Sequence, residues 1–130
     1  MSACYPVSSC IEWQFTEAGD LDARLRAAKA AGFELAEFHL WRDKPVDALA
    51  AALTETGMRL TGICVDPRRS IVDPAEHEEM VTAVRETIAA TAKLGKPNLI
   101  VASGFRVEGL SEEDHFANAV TALRAAADAA

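Results

Sequence analysis

Side chains suited to holding and reprotonating small oxygenated molecules fall at four places in this 130-residue chain. They are Glu12; His39, two residues after Glu37; Asp66 with Arg68 and Arg69; and Ser103 with Arg106 and Glu108. An imidazole exchanges protons near neutral pH. A guanidinium holds a carboxylate or phosphate through two parallel hydrogen bonds. A sugar or hydroxyacid needs several such fixed partners, so residues from separate segments converging on one rim would suit it. Each residue also has a plainer reading: Glu12 as a loop cap, His39 as a loop hydrogen bond, Arg68-Arg69 as a solvated turn. Glu37 stands within an apolar run, where burial demands partners. We assign Glu12, His39, Arg68 and Arg106 as candidate substrate-binding residues, and Glu37, Asp66 and Ser103 as structural or pocket-lining. No residue is assigned to catalysis. His77 and His115, at or near helix starts, read as surface residues.

Other chemistries lack their motifs. The sequence has no HxxxH or HExxH metal spacing, no GxGxxG or P-loop and no GxSxG nucleophile elbow. No metal ligand is assigned in this chain. Cys10 and Cys64 have apolar neighbours and read as inert core thiols. Three cysteines without a CxxC do not make a disulfide framework, although Cys4 and Cys10 lie close in sequence. A reduced, cytoplasmic setting is expected. Thirteen Lys+Arg against 20 Asp+Glu give a formal charge of -7, which argues against a nucleic-acid or anionic-membrane partner. No run approaches the roughly 20 apolar residues of a membrane span.

Residues this scattered need a scaffold that gathers them. Leu21, Leu25 and Ala28 repeat at helical spacing after Asp20, a plausible N-cap, and Gly32 marks the stop. Phe33 to Trp41 then reads as a strand. Pro45, at the first helical position, opens a helix with Val46, Leu49 and Leu53 on one face. Gly57 closes it, and Met58 to Val65 reads as a strand. Asp73, Pro74 and Glu76 are a cap, an N1 proline and a first-turn acid in order. Met80, Val84 and Ile88 carry that helix toward Gly95, before a strand over Asn98 to Ser103. Ser111 and Asp114 resemble a capping box, and Phe116, Val120 and Leu123 face one way along the last helix. With a first strand around Tyr5 to Ile11, four strands alternate with four helices in a single domain, residues 1–130.

That alternation predicts an α/β fold with parallel strands. It admits an open doubly wound sheet or the N-terminal half of a (β/α)8 TIM barrel, since full barrels need about 250 residues. A half barrel would leave its inner face and two edges uncovered. The alanine-rich ending without a stop signal is the pattern expected of an interrupted helix.

Three stretches resemble the xylose-isomerase-like TIM-barrel superfamily, with its sugar phosphate isomerases/epimerases and hydroxypyruvate isomerases. They are AAKAAGFELAEFHLW at 27–41, TGMRLTGICV at 56–65, and AATAKLG at 89–95 followed by KPNLIVASGFRVEGLSEEDHFANAV at 96–120. The G-F-x-x-x-E pattern places the family's recurrent glutamate at Glu37. The resemblance covers essentially the whole chain and implies the N-terminal half of a barrel. It implies an isomerase or epimerase that acts on a small sugar, sugar phosphate or hydroxycarbonyl acid by metal-assisted proton transfer through an enediolate. The divalent ion, Mn or Mg, and the proton-transfer glutamates of such barrels come from strands five to eight, beyond Ala130. An isolated half would be inactive; the missing half is expected on a longer natural chain or, failing that, on a complementary half or a second copy. The alternative is a small-ligand binding module or a non-catalytic half-barrel that self-assembles.

Overall fold

The glycine and proline punctuation lands where helices stop and start. The computed structural model describes residues 5–130; Cys4 lies outside them. Four strands, β1 (Ser8–Cys10), β2 (Leu35–Glu37), β3 (Arg59–Cys64) and β4 (Asn98–Ile100), alternate with α1 (Leu21–Ala30), α2 (Val46–Thr56), α3 (His77–Thr91) and α4 (Glu112–Ala129). All four strands are parallel, in the order β1-β2-β3-β4. The fold is a partial TIM barrel. No helix among the described residues is long and apolar enough to cross a membrane.

Two compact units divide the residues: one runs to Ile63 and includes Ala90–Asn98, the other comprises Cys64–Ala89 and Leu99–Ala130. In the first, α1 packs on α2. Leu25, Ala28, Leu49, Ala52, Phe38 and Ile63 form its core. Ser9, Ala36 and Leu60 are buried, whereas their strand neighbours Ser8, Cys10, Leu35, Glu37 and Thr61 are half-buried. One face of these strands is therefore covered by helices and the other is not. Strands shielded on both sides would bury both sets.

The uncovered face is concave. Ser8 Oγ on β1 lies 2.9 Å from Thr61 Oγ1 on β3, although β2 runs between those strands. Strands two apart in a flat sheet are separated by about 9.5 Å, a gap that two short hydroxyl side chains bridge only if the sheet curls toward them. The shift in register between Ala36 and Glu37 is a local device of the kind that bends a sheet.

The second unit has its own core: Val65, Met80, Ala83, Val84, Ala122 and Ala126. Its caps form as expected: Asp73 accepts the Ala75 N–H, and Ser111 and Asp114 make a reciprocal capping box.

Several expectations need correction. The strand expected over Phe33 to Trp41 pairs only at Leu35–Glu37, because the His39 N–H is turned out of the ladder to the Glu12 carboxylate. Pro45 is the N-cap of α2 rather than its first helical residue. On α4 the buried residues are His115, Ala122 and Ala126, while Phe116 and Leu123 are 73% and 45% exposed. His115 is thus no surface residue, and His77 is half-buried with Nε2 2.9 Å from the Ile71 carbonyl. Cys10 and Cys64 are free thiols but half-buried, not core.

Candidate functional site

Polar side chains gather in both units, at the segments that follow the carboxyl ends of the strands. In the first unit Cys10 and Glu37 end β1 and β2 and are register partners. Arg24 on α1 anchors the segment after β1, its guanidinium donating to the carbonyls of Gly19 at 2.7 Å, Glu12 at 3.0 Å and Ile11 at 3.3 Å. This fixes the backbone that carries Glu12. The Glu12 carboxylate accepts from Lys44 Nζ at 2.8 Å and from the His39 N–H at 3.2 Å. Burial opposes ionisation of Glu12, but those two bonds and the Lys44 charge outweigh it and hold its pKa below the ordinary value. The same bond raises Lys44.

His39 Nε2 lies 3.9 Å from Cys10 Sγ, and the His39 ring meets the exposed Trp13 edge-on at 4.6 Å. Burial pushes the Cys10 thiol pKa up, and the nearby Glu37 carboxylate adds to it. Cys10 is therefore a poor nucleophile here. The Glu37 carboxylate makes no hydrogen bond or ion pair among the described residues, while its backbone carbonyl accepts the Ile11 N–H at 3.0 Å. Glu12, Glu37 and His39 do come together, with Lys44, Trp13 and Arg24 as participants that the sequence did not announce.

In the second unit a cavity of about 710 Å³ is lined by Arg68, Arg69, Ser70, Ser103, Gly104 and Arg106, among others. Of the six residues singled out in this region, Arg68, Arg69, Ser103 and Arg106 thus meet, and Glu108 is not in the lining. Asp66 is absent from that lining; it is 5% exposed, and its N–H donates to Thr87 Oγ1 at 3.1 Å.

Ser70 organises the cavity wall. Its buried Oγ accepts the N–H groups of Val72 and Asp73 and donates to the Ser103 carbonyl at 3.4 Å, which also accepts the Ile71 N–H. The Ser70 N–H donates to Glu76 Oε2 at 2.6 Å. Arg69 is paired with Glu79, and Arg106 with Glu112. Arg68 has no ion pair among the described residues. Farther along, the Val107 N–H donates to His115 Nε2 at 2.9 Å. An accepting Nε2 puts the ring proton on Nδ1, and that buried atom has no partner.

The described residues do not fit a divalent ion: no three His, Cys, Asp or Glu side chains among them gather into a possible site.

Comparison with known proteins supplies the context. The family model described as xylose isomerase-like TIM barrel matches residues 25–130. A crystal structure of an AP endonuclease, family 2, from Brucella melitensis superposes with a TM-score of 0.82 at 23% identity. That match covers 95% of this chain and 50% of the other. A 3-keto-D-glucoside 4-epimerase from E. coli, in its apo form, gives a TM-score of 0.67 at 20% identity over 85% of this chain and 48% of that one. The chain therefore spans about half the length of these solved structures. No curated protein matches it.

Proposed function

We propose, because the chain belongs to the xylose isomerase-like TIM-barrel family, that it forms the substrate-facing side of an isomerase or epimerase. The substrate would be a small sugar, sugar phosphate or hydroxycarbonyl acid. The single observation carrying this reading is the meeting of Arg68, Ser103 and Arg106 on one cavity beyond β3 and β4, since ligands of parallel barrels collect past the carboxyl ends of the strands.

The reaction removes a proton from the carbon beside a carbonyl and places negative charge on the oxygens of an enediolate. This chain's share is to bind and orient. Arg68 and Arg106 grip the substrate and the Ser103 hydroxyl accepts or donates one further bond, while Ser70 holds the wall in place. In the first unit, considered by itself, Glu12 accepts the His39 N–H and so fixes the backbone of that residue. The acids that move the proton, and the residues holding a Mn or Mg ion, come from outside this chain. They belong to the other half of the barrel, on a longer natural chain, a complementary half or a second copy, in a cytoplasmic, reducing setting that keeps Cys10 and Cys64 as thiols.

The test is metal-dependent isomerisation by the complete assembly, with 13C NMR following a panel of aldoses, ketoses, their phosphates and hydroxycarbonyl acids. Interconversion of at least one member, weakened by Arg68→Gln or Arg106→Gln mainly through KM, is expected. No turnover of any class with Mn or Mg supplied would overturn the assignment. The half-exposed inner strand face favours one other reading, a half-barrel that self-assembles without catalysis; ligand binding without turnover would select it.

A further inference from the structure

Three of the chain's thirteen Lys and Arg residues line one cavity in a molecule of net charge -7. Arg69 and Arg106 are paired with Glu79 and Glu112 outside the lining, and the carboxylates in the wall, Asp73 and Glu76, accept the Ala75 and Ser70 N–H groups, so Arg68 alone is left without an ion pair among the described residues. The backbone adds further donors. Gly104, Phe105 and Arg106 are consecutive lining residues, and none of their N–H groups is hydrogen-bonded among the described residues. Three successive N–H groups without a protein acceptor are donors that an anion in the cavity could use.

Both ends of this segment are fastened. At one end Gly104, with φ +84°, packs so tightly on Ser70 that a Cβ would stand 2.0 Å from the hydroxyl. At the other, His115 clasps the Val107 N–H. Arg68 brings a guanidinium with no ion pair, and the exposed Arg106–Glu112 pair is of the kind that is weak enough to exchange partners.

We propose that the segment 104–106, with Arg68 and Arg106, is an oxyanion cradle that selects substrates bearing a phosphoryl or carboxylate group over neutral sugars. For the identity of the ligand as a substrate this rests on the isomerase or epimerase reading; the anion site itself does not. The ordering of the cradle before the ligand arrives lowers the entropic cost of binding.

The experiment is a 15N–1H NMR titration of the chain with inorganic phosphate and, separately, with glycolate, against chloride at matched ionic strength. The amides of Gly104, Phe105 and Arg106 are expected to shift saturably with one or both. Tighter binding of phosphate would identify a phosphorylated substrate; tighter binding of glycolate, a hydroxyacid. Arg68→Gln should weaken the tighter anion about tenfold, the effect expected for a hydrogen bond to a charged group. Shifts no larger than those with chloride, or saturable shifts that Arg68→Gln and Arg106→Gln leave unchanged, would overturn the proposal. Turnover of a neutral sugar without anion binding would sink the cradle alone. Anion binding without turnover of any compound would sink the isomerase reading alone.

Discussion

A Cβ built on Gly104 would stand 2.9 Å from Ser70 Cα as well as 2.0 Å from its hydroxyl, at a backbone φ of +84° that L-residues rarely adopt. Backbone cannot step aside as a flexible side chain would. Gly104→Ala is therefore expected to lower stability by about 1–3 kcal/mol, read from the midpoint of urea unfolding; an unchanged midpoint would mean that Ser70 does not hold this segment. The Glu12–Lys44 pair makes a prediction in pH. Glu12 is held below its ordinary value of 4.5, so its contribution is full above that pH and is lost as pH falls through the lowered value. Lys44 is raised above 10.5, so its share is full below that and fades as pH rises through the raised value. Lys44→Met should cost about 1–3 kcal/mol between those limits, and the gap from wild type should close in acid. A gap that persists unchanged below the lowered Glu12 value would show that the pair is not its source. None of these partnerships was legible in the sequence. Lys44 is 32 residues from Glu12, and nothing local marks Ser70 as the neighbour of Gly104. Their placement just after expected strands does mark the arginines and Ser103 as candidates for one rim.

Helix ends follow their local sequence wherever the chemistry that caps them is local. Ser111 and Asp114 satisfy each other's backbone N–H groups, with Ser111 Oγ accepting at 3.1 Å and Asp114 Oδ2 at 3.0 Å. Ser111→Ala should destabilise α4 by about 0.5–2 kcal/mol, measured by thermal unfolding; no loss would indicate that α4 starts elsewhere. Gly57 and Gly95 stop their helices in left-handed conformation as their placement implies. On α4 the large apolar residues Phe116, Val120 and Leu123 suggest one face, but the packing uses another. Ala122 and Ala126, small enough for close approach, form the covered face, while Phe116 and Leu123 remain exposed. Ala122→Leu should therefore cost about 1–3 kcal/mol by overpacking, whereas Leu123→Ser should fall within about 0.5 kcal/mol of wild type. Equal effects would reverse the assignment of faces.

For the molecule as a whole, the alternation of strand and helix was sufficient to predict parallel pairing, since each crossover is long enough to return the chain to the same edge. The choice between an open sheet and part of a barrel was not in the periodicity, because both architectures alternate in the same way. It is decided by the concave contact of Ser8 with Thr61 across β2 and by the covering of a single strand face. The order β1-β2-β3-β4 leaves β1 and β4 as the two edges, and a ring closed by further strands would pair both at once. Amide hydrogen exchange at Ser8–Cys10 and Asn98–Ile100, compared between the dilute chain and its full assembly, measures that closure. The account predicts slower exchange at both edges together on assembly; protection of neither edge, or of one alone, would contradict it.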